Sequence, residues 1–334
     1  MNLIELINNL PPEATYETSH ALMRLSLLSR AVKILGPKTY APYEFQGKTL
    51  DGLLGIGAGI DKDGLLMDLA AVMPIGFHVI GSVTPQPRPG NPRPRFIKYP
   101  AKRAINAMGL PSRGAGFVLD LVRRKCPSWP KSKLLIISAA GFTVDDVIKV
   151  ATAASEVRCV DYVEVNISSP TYRGQWLEGG LEELLKRIRK LDTQVIIKVP
   201  LLSDVQAELR LIKLLSEAKL GLTIANTLPV QAPLSMGYGG LSGAPINPLV
   251  LRLLRLARQL SRDVPIIGIG GFMTGESVIE GLRMGADLIG IVTAFALEGP
   301  LAIYRILRQL NYLVGNLHSF QATNHNRGGP HLLM

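Results

Sequence analysis

Short apolar, β-branched runs recur along the chain, and each run ends in small or polar residues. Eight of them have the length of a strand: 53–60, 77–83, 134–140, 162–167, 195–199, 222–225, 265–269 and 288–292. Because these runs are apolar throughout and do not alternate, they predict strands that are buried on both faces, as in parallel sheets.

Helical patterns lie between most of the runs, at 181–191, 204–218, 248–261 and 275–284 among others. Strand and helix alternating eight times predicts an α/β protein with a (β/α)8 TIM barrel. An open, doubly wound sheet is the alternative, because periodicity does not separate a closed sheet from an open one. We assign 46–312 to the barrel, 1–45 to a helical extension with an apolar-rich helix at 19–35, and 313–334 to a polar tail.

Composition and charge exclude several classes of protein. The chain has 334 residues, of which 47% are hydrophobic and 19% charged, which is typical of a globular protein with a large core. Its net charge of +11 suits anionic ligands, and no arginine-rich run indicates a nucleic-acid partner. Two cysteines and five histidines predict neither a metal site nor a multi-bridge framework. No run reaches the ~18 apolar residues of a membrane span, so we expect a soluble or peripheral protein.

Polar side chains collect at the ends of the apolar runs, although buried strands otherwise avoid them. In a TIM barrel the active site lies at the carboxyl ends of the strands, so this pattern predicts a site at one rim. The polar residues are Asp61, Lys62, Ser82, Thr84, Ser138, Asn166, Ser168, Ser169, Lys198, Asn226, Thr227 and Thr293.

Glycines follow the seventh run, in Gly268-Ile269-Gly270-Gly271, and Thr293-Ala294 follows the eighth. Loops at these two positions commonly bind a phosphate through backbone N–H groups. The alternative is that the glycines serve turn geometry alone. The earlier segment 55–59 lacks the G-x-G-x-x-G spacing, so a Rossmann nicotinamide site is not expected.

Lys198 lies on the otherwise apolar run 195–199 and needs a negative or polar partner there. Three roles fit: contact with the N1–O2 edge of a reduced flavin, pairing with a carboxylate in the barrel, or Schiff-base chemistry. Only His20 and His78 lie outside the tail, so a Ser-His-Asp triad is not expected.

A series of motifs between about residues 50 and 310 can be matched to a known family. In chain order they are Gly57-Ala58-Gly59-Ile60-Asp61-Lys62-Asp63-Gly64, Gly81-Ser82-Val83-Thr84-Pro85, Gly90-Asn91-Pro92-Arg93-Pro94-Arg95, Ile105-Asn106-Ala107-Met108-Gly109, Asn166-Ile167-Ser168-Ser169-Pro170, Gly239-Gly240-Leu241-Ser242-Gly243, Ile267-Gly268-Ile269-Gly270-Gly271 and Glu298-Gly299-Pro300. Together they resemble the dihydroorotate dehydrogenases, most closely the membrane-associated, quinone-linked class.

The resemblance implies FMN-dependent oxidation of (S)-dihydroorotate to orotate in de novo pyrimidine biosynthesis, with quinone as the electron acceptor. It implies Ser169 as the catalytic base that removes the C5 proton. The substrate-binding positions would be Lys62, Asn106, Asn166, Thr171, Asn226 and Thr227. The FMN-binding positions would be Ala58, Gly59, Ser82, Ser138, Asn166, Lys198, Ala225, Gly243, Gly270, Gly271, Val292 and Thr293.

The segment that begins at Pro12-Glu13-Ala14 resembles the family's quinone-tunnel and membrane-docking extension, and Arg95 matches an arginine at its quinone site. This implies a cytoplasmic protein or a peripheral one on the inner face of the cell membrane. A helix that closes one end of the barrel is the equally good alternative for 19–35.

Several positions depart from the family pattern. Thr171 replaces a substrate-binding asparagine, Ser138 a flavin-binding asparagine, Ala225 a threonine, Val292 a tyrosine and Tyr16 a histidine. These departures motivate a second hypothesis, a paralogous flavin barrel that acts on another cyclic amide or enone. A third is a flavin-holding subunit of a larger complex, although the joint presence of Ser169, Lys62 and Lys198 favours catalysis.

Overall fold

The computed structural model describes residues 42–168, 180–191, 193–202 and 204–325, with side chains described as far as Val314. Eight parallel strands close into a barrel in chain order. They are β3 (Leu54–Asp61), β4 (Phe77–Val83), β7 (Leu134–Ala139), β8 (Tyr162–Asn166), β9 (Gln194–Val199), β10 (Gly221–Ile224), β13 (Ile266–Ile269) and β14 (Leu288–Ile291). The predicted TIM barrel is confirmed, and the alternative of an open sheet is wrong.

Helices follow the strands and surround the barrel. They are α1 (Met67–Val72), α2 (Gly114–Lys125), α3 (Val144–Ser155), α4 (Leu181–Ile188), α5 (Val205–Glu217), α6 (Asn247–Leu260), α7 (Gly275–Arg283), α8 (Thr293–Glu298) and α9 (Leu301–His325). Side-chain capping fixes several starts: Thr143 and Thr274 form capping boxes before α3 and α7, and Asp204 accepts two backbone N–H groups before α5.

The core has two layers, which explains why the strands are apolar on both faces. On β7, Leu134 and Ile136 belong to a cluster inside the barrel, whereas Leu135 and Ile137 pack in the layer between strands and helices. Successive side chains of a strand point to opposite faces, so every position of such a strand is buried. All six residues of β7 are buried.

Two further sheets cap the ends of the barrel. A hairpin of β1 (Tyr43–Phe45) and β2 (Lys48–Leu50) lies at the amino end, where Lys48 Nζ pairs with Asp161 at 2.6 Å, just before β8. At the carboxyl end, β5 (Phe96–Tyr99), β6 (Arg103–Asn106), β11 (Leu228–Gln231) and β12 (Tyr238–Gly243) form a four-stranded antiparallel sheet. The pattern of apolar runs along the chain predicts neither sheet.

The termini and the cysteines complete the fold. The predicted helix at 19–35 lies outside the described residues, and α9 continues to His325, into the segment assigned to the polar tail. Cys126 and Cys159 form a disulfide with 5.5 Å between their Cα atoms, joining the end of α2 to the segment before β8. Within the described residues, no helix combines the length and apolar character that crossing a membrane requires.

Candidate active site

A cleft opens at the carboxyl ends of the barrel strands, beneath the four-stranded sheet. Its empty volume is about 1370 Å³, including space open to solvent. Many of the predicted site residues line it: Ala58, Gly59, Lys62, Ser82, Asn106, Asn166, Lys198, Ala225, Asn226, Thr227, Gly270, Val292 and Thr293. These residues come from strands or strand ends far apart in sequence, and closure of the barrel brings them together.

Five predicted site residues are not among those that line the cleft. Ser169 and Thr171 lie outside the described residues. Gly243 and Gly271 are each next to a lining residue, and Ser138 is fully buried with its Oγ 3.0 Å from Ser82 Oγ. Ser138 therefore lies one hydrogen bond behind the wall that Ser82 forms.

A chain of side-chain hydrogen bonds crosses the floor of the cleft. Asn166 Nδ2 donates to Ser82 Oγ at 2.7 Å, which joins β8 to β4. Asn166 Oδ1 accepts from Ser168 Oγ at 2.6 Å and from the Ser168 N–H at 3.0 Å. Asn226 Nδ2, after β10, then donates to Ser168 Oγ at 2.8 Å. The buried amide of Asn166 thus fixes both neighbours, and Ser168 is a site residue that the prediction of ligand contacts leaves out.

Lys198 lies on β9 and its side chain is 5% exposed. Cross-strand pairing places it beside Asn166 on β8 and Thr223 on β10. No hydrogen bond or ion pair with another described residue accounts for its ammonium group, which lines the cleft. A buried ammonium without a protein partner is costly, so an anionic or strongly polar ligand atom would stabilise this site.

Asp61 anchors the segment that carries Lys62. The Asp61 carboxylate is 2% exposed and lies 2.9 Å from His78 Nε2, and it also accepts the Leu66 N–H at 3.1 Å. These contacts hold the end of β3, so the adjacent Lys62 is presented to the cleft from a fixed backbone.

The loop after β13 brings backbone close to the cleft. Gly270 and Gly271 have φ values of +123° and +77°, in the region that favours glycine. A Cβ on Gly270 would lie 2.8 Å from Val250 Cγ2, and one on Gly271 would lie 2.5 Å from Asn247 Cβ. The loop is therefore packed against the start of α6, where no side chain fits, and its Gly270 lines the cleft.

The upper wall of the cleft comes from the four-stranded sheet and its loops, which strand-end reasoning misses. Its lining residues include Asn91, Phe96, Met108, Leu110, Tyr238 and Ser242. β6 and β12 pair Asn106 with Gly240, so two distant motifs meet over the strand ends. The motifs at 105–109 and 239–243 are the sequence signal that could have found this wall.

The chain is similar in sequence to proteins of one family over most of its length. A family model described as dihydroorotate dehydrogenase matches residues 40–314. A dihydroorotate dehydrogenase (quinone) of Parvibaculum lavamentivorans is 32% identical, over 93% of this chain and 94% of the relative. The protein of the same name from Halorhodospira halophila is also 32% identical, over 91% and 95% of the two chains.

A solved structure supports the fold. The crystal structure of an Eimeria tenella dihydroorotate dehydrogenase in complex with ferulenol superposes with a TM-score of 0.71 at 22% identity, covering 87% of this chain and 92% of that one. The family match, the relatives and the barrel agree: the chain belongs to the dihydroorotate dehydrogenase family.

Proposed function

We propose that this protein oxidises (S)-dihydroorotate to orotate with FMN bound at the rim of the barrel, and passes the electrons to a quinone. The observation that carries the proposal is the convergence in one cleft of Lys62, several amide and hydroxyl side chains, and Lys198, which has no partner among the described residues. The relatives named dihydroorotate dehydrogenase (quinone) support both the substrate and the acceptor.

The cleft fits FMN by two features of its own. Lys198 is a nearly buried cation without a partner among the described residues, which suits the electron-rich pyrimidine edge of a flavin. The glycine turn at Gly270 and Gly271, with positive φ at both residues and Gly270 lining the cleft, suits a phosphate bound by backbone N–H groups. Ser82 Oγ and Asn166, fixed by their mutual bond, would contact the ring between these two ends. When bound, FMN would supply the hydride acceptor that no side chain can provide.

The substrate residues offer what a planar dihydropyrimidine needs. Asn106, Asn226 and Thr227 provide donors and acceptors for the amide edges of the ring, and Lys62 provides a cation for its carboxylate. Asn166 and Asn226 both hold Ser168, so their amides are oriented before any ligand binds. Preorganised groups of this kind cost little free energy to order on binding.

Ser169 is the proposed base. In this role its Oγ takes the C5 proton of dihydroorotate and passes its own hydroxyl proton to water, while the hydride leaves C6, so that a ring double bond forms and orotate results. The residue before it, Ser168, is 2% exposed and bonded to Asn166 and Asn226. These bonds fix the last described residue before Ser169. Thr171, two residues further along the chain, is the proposed replacement for a substrate-binding amide.

We place the protein in the cytoplasm or peripherally on the inner face of the cell membrane, where a quinone is reached from the lipid. The net charge of +11 would favour contact with anionic lipid, and Arg95 matches the family's quinone site. The extension at 1–45 is the proposed docking segment, and nucleic acid is not a proposed partner.

Steady-state turnover tests this function. FMN-loaded protein is given dihydroorotate with a soluble quinone, fumarate or NAD⁺, and orotate is quantified by chromatography. We expect orotate in amounts equal to the quinone reduced, and rates at least tenfold lower with the other two acceptors. Orotate formed fastest with fumarate or NAD⁺ would contradict the quinone assignment, and no orotate with any acceptor would contradict the substrate.

A further inference from the structure

The inside of the barrel holds a carboxylate that the proposed function does not use. Glu164 lies on β8 between Tyr162 and Asn166 and shares their inward face, and it is 1% exposed. Its Oε2 accepts a hydrogen bond from Thr223 Oγ1 at 2.8 Å. Its Oε1 is buried and has no partner in the part of the chain that the structure describes. A buried carboxylate oxygen without a partner is costly, so a positive charge nearby would stabilise this side chain.

The strand register places Glu164 next to Lys198. β8 and β9 pair Glu164 with Ile196 and Asn166 with Lys198, so Glu164 and Lys198 are diagonal neighbours, and the usual strand spacing and rise put their Cα atoms ~8 Å apart. β9 and β10 pair Lys198 with Thr223, the residue that bonds Glu164. The Glu164 carboxylate therefore crosses the inner face of β9 to reach Thr223. It starts from the level of Ile196, two residues before Lys198.

The two side chains are of opposite type, one acidic and one basic. Lys198 is the one charged residue in the sequence of β9, and Glu164 is the one in β8. Neither has an ion-pair partner among the described residues, so they do not form a direct pair and the ammonium stays at the cleft. Opposite charges in a dry interior still interact strongly across such a distance, because screening by water is weak there.

We propose that Glu164 is a positioning residue whose carboxylate offsets part of the positive charge of Lys198 and so limits the preference of the site for the reduced, anionic form of FMN. The inference rests on the proposed function only in taking FMN as the ligand. Without Glu164, the full field of Lys198 would act on the pyrimidine edge of the cofactor, and the reduced form would gain most because it carries the extra charge.

Affinity for the two redox forms of FMN tests this inference without any turnover. Dissociation constants for oxidised and reduced FMN are measured anaerobically for the wild type, Glu164→Gln and Tyr162→Phe. We expect Glu164→Gln to tighten the binding of reduced FMN relative to oxidised FMN by about tenfold. For a two-electron couple this ratio corresponds to a reduction potential of the bound FMN that is about 30 mV more positive. Tyr162→Phe removes a polar group from the same inward face of β8 without changing charge, and its ratio should stay within about twofold of the wild type.

A ratio in Glu164→Gln equal to that of Tyr162→Phe would overturn the inference, because it would mean that Glu164 carries no charge that reaches the cofactor. If Glu164→Gln does not fold, Thr223→Val removes the hydrogen bond that stabilises the carboxylate and should shift the ratio in the same direction by about two- to threefold. An unchanged ratio there would overturn it equally. Wild-type protein that binds neither form of FMN would overturn the proposed function together with this inference.

Discussion

Asn166→Ala would remove the side chain that joins β8 to β4 and to the segment after β8. Three hydrogen bonds are lost: to Ser82 Oγ at 2.7 Å, from Ser168 Oγ at 2.6 Å and from the Ser168 N–H at 3.0 Å. Each contributes about 1 kcal/mol net, and a buried partner left unsatisfied costs about 1–3 kcal/mol. Because Ser168 is 2% exposed, its groups lose a buried partner, and we expect the free energy of unfolding to fall by ~2–4 kcal/mol.

Urea unfolding of the FMN-free protein, followed by circular dichroism, measures this loss. Ser242→Ala is the matched control, since Ser242 lines the same cleft, is half-buried and donates one bond to Ala104 O at 3.2 Å. We expect the control to cost ~0.5–1 kcal/mol. Equal losses in the two variants would refute the reasoning that the Asn166 amide is the centre of the polar chain.

Three further changes test other parts of the account. Ser169→Ala should lower the rate of flavin reduction by dihydroorotate by roughly 10²–10⁴-fold with FMN affinity within about twofold of wild type, and a variant that reduces flavin normally would exclude Ser169 as the base. Gly270→Ala, at φ +123° and 2.8 Å from Val250 Cγ2, should weaken FMN binding at least about tenfold in a fluorescence titration. Gly47→Ala, at φ +76° with open space around it, should leave that affinity unchanged, and equal losses would exclude a local effect. Cys126→Ser opens a link across 33 residues and should lower the free energy of unfolding by ~3–4 kcal/mol, a difference that dithiothreitol on the wild type should abolish if the disulfide is its cause.

The barrel could be predicted from sequence because its strands are buried on both faces. All eight runs became strands, since a run such as 134–139 must place alternate residues inside the barrel and against the helices. The four-stranded sheet could not be predicted in this way. Of the four residues of β6, only Ala104 is buried, and the strand owes its existence to pairing with β12, more than 130 residues later. Such pairing leaves no local periodicity.

The candidate site was also predictable from the sequence only in part. Polar groups at strand ends, such as Asn166 and Thr227, were predictable as site residues. A polar group buried on a strand is costly unless it has a hydrogen-bond partner, so such groups are uncommon elsewhere on buried strands. The role of Ser168 as a bridge between Asn166 and Asn226 depends on side-chain directions that only the closed barrel fixes. The disulfide of Cys126 and Cys159 likewise depends on two neighbouring βα units packing side by side.

One measurement tests the central claim most directly: dihydroorotate is added anaerobically to the purified, FMN-loaded protein while the flavin band near ~450 nm is recorded. We predict prompt bleaching, with one orotate formed for each FMN reduced. Protein that binds FMN and stays yellow under dihydroorotate would contradict dihydroorotate as the substrate. Protein that does not take up FMN at all would contradict the assignment of the cleft itself.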